Sequence, residues 1–141
     1  MTFEKINKLG RSRTPFFFMI DFEVRRAVVI PLTELAEQGI SVEFKGKKYG
    51  MDIQPVSTRK QEVATCPIEE DTYRNAFQQV QDGIQAGNSY LLNLTFPTEV
   101  HTDYTLEDIF TAAQAAYKVY CQDKFVFFSP ESFIRIADNK I

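Results

Sequence analysis

The sequence predicts an α+β fold, and three observations carry that prediction. Glu69–Ala86 repeats apolar residues at helical spacing, with Tyr73, Ala76, Phe77, Val80 and Ile84 on one stripe. Short runs of bulky β-formers recur on both sides of that helix, bounded by Gly, Pro and charged residues. Two pairs of such runs meet at tight turns, Lys45-Gly46-Lys47 and Gln122-Asp123-Lys124.

Taken in order, residues 1–13 are polar and basic, and fit either a short helix or a loose lead-in. Thr14–Phe22 (TPFFFMIDF) reads as a strand buried on both faces. Arg26–Ile30 is a second strand, ended by Pro31, which lacks a donor for the ladder. Leu32–Gln38 offers one or two helical turns closed by Gly39. In Ile40–Phe44, Ile40, Val42 and Phe44 alternate with Ser41 and Glu43, the signature of a half-buried strand turning into Lys48–Met51. Asp52–Cys66 has charges, Pro55 and little periodicity, and reads as a surface loop.

Glu69–Ala86 is the strongest helix. Pro67 suits its first turn, Glu69, Glu70 and Asp71 favour its positive end, and Gly87 is placed for a left-handed cap. Its apolar stripe is expected to be core. Ser89–Thr98 follows as a strand, with Asn93 interrupting an apolar run. Leu106–Ala116 is a helix entered through Thr105, with Glu107 and Asp108 in its first turn. Tyr117–Cys121 and Phe125–Phe128 form a hairpin, Phe133–Ala137 a last strand, Asp138-Asn139 a turn, and Lys140-Ile141 the start of a returning strand. The whole, residues 1–141, reads as one α+β unit with an open edge that belongs to something larger.

Composition narrows the function. With 141 residues, 44% hydrophobic and 25% charged, the chain has the profile of an ordinary globular domain. A net charge of -3, with Lys and Arg scattered among acids, lacks the basic footprint that nucleic acid requires. Phe16–Ile20, the longest apolar run, is far short of the ~20 residues of a membrane span. Cys66 and Cys121 stand alone, without a CxxC, and read as reduced, buried apolar fillers of a cytoplasmic protein. His101 is the sole histidine, in a polar connection, so zinc sites and Ser-His-Asp triads are almost excluded.

Two motifs are informative together. Gln85–Thr95 (QAGNSYLLNLT) joins a helix end to a strand, and Ser129–Phe133 (SPESF) closes a hairpin. Their order, with one helix and one hairpin between them, resembles the chorismate-binding enzymes, a family that includes anthranilate synthase, isochorismate synthase and aminodeoxychorismate synthase component I. Asn93-Leu94, where anthranilate synthases have a Val-Pro-Ser type of sequence, and the opening Pro15–Glu23 (PFFFMIDFE) are most similar to aminodeoxychorismate synthase (para-aminobenzoate synthase) component I. The resemblance covers nearly the whole chain, but only about the first half or less of a typical member.

That resemblance implies the N-terminal portion of a layered αββα sandwich. It implies an enzyme of folate biosynthesis that converts chorismate and ammonia to 4-amino-4-deoxychorismate, with ammonia from a glutamine amidotransferase partner (component II). Glu131 matches the glutamate of the SPExF motif, whose chemical task is to protonate the departing 4-hydroxyl. Its neighbours Phe127, Phe128 and Phe133 would help to keep such a carboxyl protonated. The family's lysine nucleophile, in Pro-x-Lys-Gly-Thr, and the carboxylates for Mg²⁺ come later than Ile141. General acid help is worth about 10²–10⁴ in rate, whereas enzymes reach at least about 10⁶, so the chain by itself is expected to be inactive.

The resemblance also implies a regulatory pocket with one wall at Ile20-Asp21-Phe22, which makes Asp21 and Phe22 candidate residues. The other wall is Pro-rich in the family, but here Ala112–Ala116 lacks both Pro and an aromatic ring, which argues against tryptophan as its ligand. For Asp21 the plain alternative is a strand-end carboxylate facing water. Two further readings stand beside the enzyme: a stand-alone ligand-binding or scaffold module, and the N-terminal part of an anthranilate synthase component I. The uncovered edge further predicts self-association.

Overall fold

The computed structural model describes residues 2–57, 60–129, 132 and 134–136. Its elements begin with α1 (Thr2–Arg11), β1 (Phe16–Ile20), β2 (Ala27–Pro31), β3 (Ile40–Phe44), β4 (Lys47–Gly50) and β5 (Val63–Cys66). They continue with α2 (Glu70–Gln85), β6 (Glu99–Thr102), α3 (Leu106–Ala112), β7 (Tyr117–Cys121) and β8 (Phe125–Ser129). All strand pairs are antiparallel, so the fold class is α+β as the sequence predicts. Contacts divide the chain into two compact units, Met1–Thr58 with Tyr104–Ile141, and Arg59–Asp103.

The first unit is built on a four-stranded sheet ordered β4-β3-β7-β8. Register puts Ile40 opposite Cys121 and Val42 opposite Val119, and β8 extends that face with Phe125 and Phe127. Against it pack the β1–β2 hairpin, through Phe17 and Ile30, and Leu35. Leu35 and Val42 are fully buried. Each such side chain contributes about 1.5–3 kcal/mol on leaving water. Leu35 sits between two 3₁₀ turns, Leu32–Glu34 and Ala36–Gln38, which Gly39 closes as expected.

α3 covers the opposite face, where its Phe110 ring meets the Tyr120 ring at 5.8 Å. Cover on both sides corrects the half-buried reading of Ile40–Phe44. Ser41 is buried as fully as Ile40, because α3 lies over the polar side of the strand. The reverse correction applies to Thr14–Phe22, since only Phe17 of β1 is buried and Phe18 is exposed on the outer side of its hairpin. Gly50 ends β4 at φ +92°, and a Cβ there would lie 2.0 Å from the Ile40 carbonyl oxygen. Only glycine fits.

α3 starts at Thr105 with a capping box. Its hydroxyl accepts the Asp108 N–H, and the Asp108 carboxylate accepts the Thr105 N–H. The helix stops at Ala112, short of the expected Ala116, because Ala113 turns extended to lead into β7.

In the second unit, β5 and β6 form a two-stranded antiparallel sheet. This corrects two boundaries. Val63–Cys66 is a strand inside the expected loop, and the strand after α2 is Glu99–Thr102, while 91–98 has no regular structure. A strand exists only where a ladder partner meets it, and among the described residues none pairs with 91–98. α2 itself matches its predicted span, but it begins at Glu70, so Pro67 lies before the helix rather than in its first turn. Its end is a Schellman cap, with Gly87 N–H donating to the Ile84 carbonyl and Asn88 N–H to the Gly83 carbonyl, and Gly87 at φ +77°.

The α2 stripe, however, is not core: no α2 residue is buried. Tyr73 stacks on Phe77 and meets Phe96, while Ala76, Val80 and Ile84 line a shallow groove with Leu92 and Leu94. A helical period selects one face, but burial needs a covering layer, and a single extended segment covers it only in part.

Candidate functional site

Glu131, to which the family resemblance assigns chemistry, lies outside the described residues, as do Pro130, Phe133 and 137–141. The described end of this region is β8, which closes at Ser129 in the expected hairpin with β7. Residues 134–136, part of the expected last strand, have no regular structure.

A concavity in the first unit opens between the β1–β2 hairpin and the inner face of the sheet. Its volume of about 640 Å³ suits a small molecule. Met19, Ile20, Val28 and Ile30 form the hairpin wall, and Ile40, Cys121, Phe125 and Phe127 the sheet wall. Polar groups enter at Asp21, Arg26, Gln38 and Lys124. An apolar body with charged groups of both signs among its lining suits a ligand with an apolar body and ionic groups.

Asp21 does line this cavity, but its carboxylate is also committed to the turn. One oxygen accepts the backbone N–H groups of Arg25 and Arg26 at 2.7 and 2.9 Å. The Asp21 backbone accepts from Val24, which is held at φ 58°, strained for a β-branched residue. Asp21 is therefore half-buried and organises the β1–β2 turn, rather than facing water at a free strand end. Phe22 is 97% exposed on the same turn and does not line the cavity. Arg26, Lys124 and the aromatic wall of β8 carried no local signal. They reach the cavity only because β1–β2 and β7–β8 pack face to face.

A second, polar region lies under α3. Lys118 points from β7 into the sheet's α3 face with its side chain 8% exposed, and pairs with Glu43 of β3 at 2.9 Å. Its ammonium also donates to the Phe110 and Ala113 carbonyls, each at 3.3 Å, and sits 4.9 Å from the centre of the Phe110 ring. A cation there satisfies the open carbonyls at the α3 C-terminus. A lysine inside the apolar strand YKVYC was the available signal for it. Nearby, the Tyr120 hydroxyl donates to Glu107, and burial, reinforced by that carboxylate, pushes Tyr120 up to about 12. Glu107 is lowered, chiefly by the same hydroxyl. Asp108 is lowered by the Ser57 backbone N–H first, with Thr105 and Val56 adding to it. These arrangements hold the Val56–Ser57 segment and α3 in place, a structural role.

The Mg²⁺ implied by the resemblance requires hard oxygen ligands. Among the described residues, the one group of three ligand-bearing side chains is Cys66, Glu99 and His101, whose thiol and imidazole do not suit Mg²⁺. Of the two cysteines, Cys121 is buried as expected, whereas Cys66 is exposed on β5, which among the described residues pairs with β6 alone. His101 is exposed as expected, but on strand β6 rather than in a loop. No helix among the described residues is long and apolar enough to cross a membrane.

Comparison with known proteins places this architecture. Residues 33–141 match the family described as chorismate binding enzyme. The chain is 41% identical over 138 residues to an uncharacterized PabA-like protein of Pasteurella multocida (strain Pm70), covering 98% of this chain and 43% of that protein. It is 44% identical over 139 residues to an uncharacterized PabA-like protein of Haemophilus influenzae (strain ATCC 51907 / DSM 11121 / KW20 / Rd), covering 98% of this chain and 42% of that one. The chain thus spans less than half the length of these curated relatives. No solved structure matches it significantly. With more than half of its residues matched, the chain belongs to the family of chorismate-binding enzymes.

Proposed function

We propose that this chain is the N-terminal portion of an aminodeoxychorismate synthase component I. In the longer protein, ammonia released by a glutamine amidotransferase partner replaces the 4-hydroxyl of chorismate, giving 4-amino-4-deoxychorismate for para-aminobenzoate and folate. The observation that carries the reading is the family match over residues 33–141, which includes SPESF and therefore Glu131. Asn93-Leu94 and the PabA-like name of both relatives support this branch over anthranilate synthase. Glu131 is proposed as the general acid, giving its proton to the hydroxyl as the C4–O bond breaks. Mg²⁺ and the covalent lysine belong, on this reading, to the remainder of the longer protein.

The test uses the full-length enzyme with chorismate and ammonia, following 4-amino-4-deoxychorismate by chromatography. Glu131→Gln is expected to lower kcat by about 10²–10⁴ with little change in KM, and the 141-residue chain alone to show no turnover. Formation of anthranilate instead, or full activity of the amide variant, overturns the assignment.

The cavity beside Asp21 favours a second reading, a ligand-binding module in its own right. A rise in melting temperature of the chain with tryptophan or chorismate, lost in a variant that fills the cavity, such as Val28→Trp, supports it. No shift with either ligand removes it.

A further inference from the structure

The chain's single histidine and its exposed cysteine lie far apart in sequence, yet the β5–β6 hairpin brings them onto one face beside a carboxylate. Cys66 pairs directly with Glu99, and His101 stands two residues further along β6, opposite Ala64. Strand periodicity puts Glu99 and His101 on the same face, and the register adds Cys66 to it. The potential ligand atoms of all three lie within 4.8 Å of one another. His101 Nε2 is 3.3 Å from a Glu99 carboxylate oxygen.

We propose that Cys66, Glu99 and His101 form a binding site for Zn²⁺, or for a divalent ion of similar softness. A tetrahedral ion with bonds of ~2.0 Å to N and O and ~2.3 Å to S sets its ligand atoms roughly 3.3–3.6 Å apart. The Glu99–His101 distance already matches that edge, and the sulfur closes the remainder by a side-chain rotation, for which the small Ala64 leaves room. Thiolate, imidazole and carboxylate are each ordinary zinc ligands, and three protein ligands leave the fourth position to water. A cross-strand ion pair explains Glu99 and His101, but not the thiol beside them.

On binding, the Cys66 thiol gives its proton to solvent and its sulfur lone pair to the metal, while the imidazole binds neutral through Nε2, so no redox partner is needed. The site lies within the second unit and is independent of the amination chemistry proposed above. It requires no second histidine.

Titration of the chain with Co²⁺ under reducing conditions tests the proposal, followed by displacement with Zn²⁺. We expect a thiolate-to-metal charge-transfer band together with visible bands of tetrahedral intensity. Cys66→Ser is expected to abolish the charge-transfer band. His101→Gln and Glu99→Gln are each expected to weaken binding at least about tenfold, and Cys121→Ser to leave it unchanged. In the unmodified protein, Zn²⁺ is expected to slow alkylation of Cys66, a readout that needs no variant. Absence of the charge-transfer band overturns the proposal. So does a band that survives both His101→Gln and Glu99→Gln at full affinity, which would mark a lone thiol picking up metal.

Discussion

Replacing Lys118 with methionine isolates the contribution of the one buried cation described under α3. The lysine makes three charge-assisted hydrogen bonds, to Glu43 at 2.9 Å and to the Phe110 and Ala113 carbonyls at 3.3 Å. Methionine matches the stem, so packing is largely kept and the loss is electrostatic. Leaving one member of a buried pair uncompensated costs about 3–5 kcal/mol, and two carbonyls at a helix end lose their donor as well. Glu43 keeps 17% of its side chain exposed, so water recovers part of this loss, and we expect about 3 kcal/mol for Lys118→Met. Glu43→Gln retains an acceptor oxygen and is expected to cost only about 1 kcal/mol. The double variant should then be more stable than Lys118→Met alone, because the amide removes the stranded negative charge. Urea unfolding followed by far-UV circular dichroism, with unchanged denaturant slope, measures all three. If Lys118→Met lies within about 0.5 kcal/mol of the parent, or the two single losses simply add, the pair is not acting as a desolvated unit and the reasoning fails.

Three more predictions follow from the same structure. Spectrophotometric alkaline titration should find one of the six tyrosines lagging the rest, and Tyr120→Phe should remove that lag. Because the folded value is pushed up to about 12 from 10.0, stability from this group is complete below pH 10.0 and drains away as pH rises towards 12. At the acid end, Asp108 and Glu107 are lowered from 3.8 and 4.5, so their stabilisation is present above those values and is lost as pH falls through the lower folded ones. Asp108→Asn should flatten the acid limb of urea midpoint against pH, and an unchanged limb would refute the role given to the Ser57 and Val56 N–H groups. Finally, among the described residues β8 is a sheet edge with Phe127 and Phe128 partly exposed, whereas Lys47 and Lys48 guard the β4 edge. We expect concentration-dependent self-association by light scattering, abolished by Phe127→Lys, and a monomer at millimolar concentration would count against it.

Much of the local structure was legible in the sequence because short-range physics sets it. The capping residue Thr105, the Schellman glycine Gly87 and the β7–β8 turn all act within a few residues, and each stands where its sequence signature put it. The chorismate-binding assignment was legible for the same reason, since it rests on two contiguous strings. Burial was not legible. A period of two made Ile40–Phe44 half-buried, and a period of 3.6 made the α2 stripe core, yet the first is covered on both faces and the second only in part. Periodicity states which residues share a face, whereas only the tertiary structure supplies the layer that covers it. The same holds for Cys66, Glu99 and His101: their types are read from the chain, but a cross-strand register alone makes them neighbours.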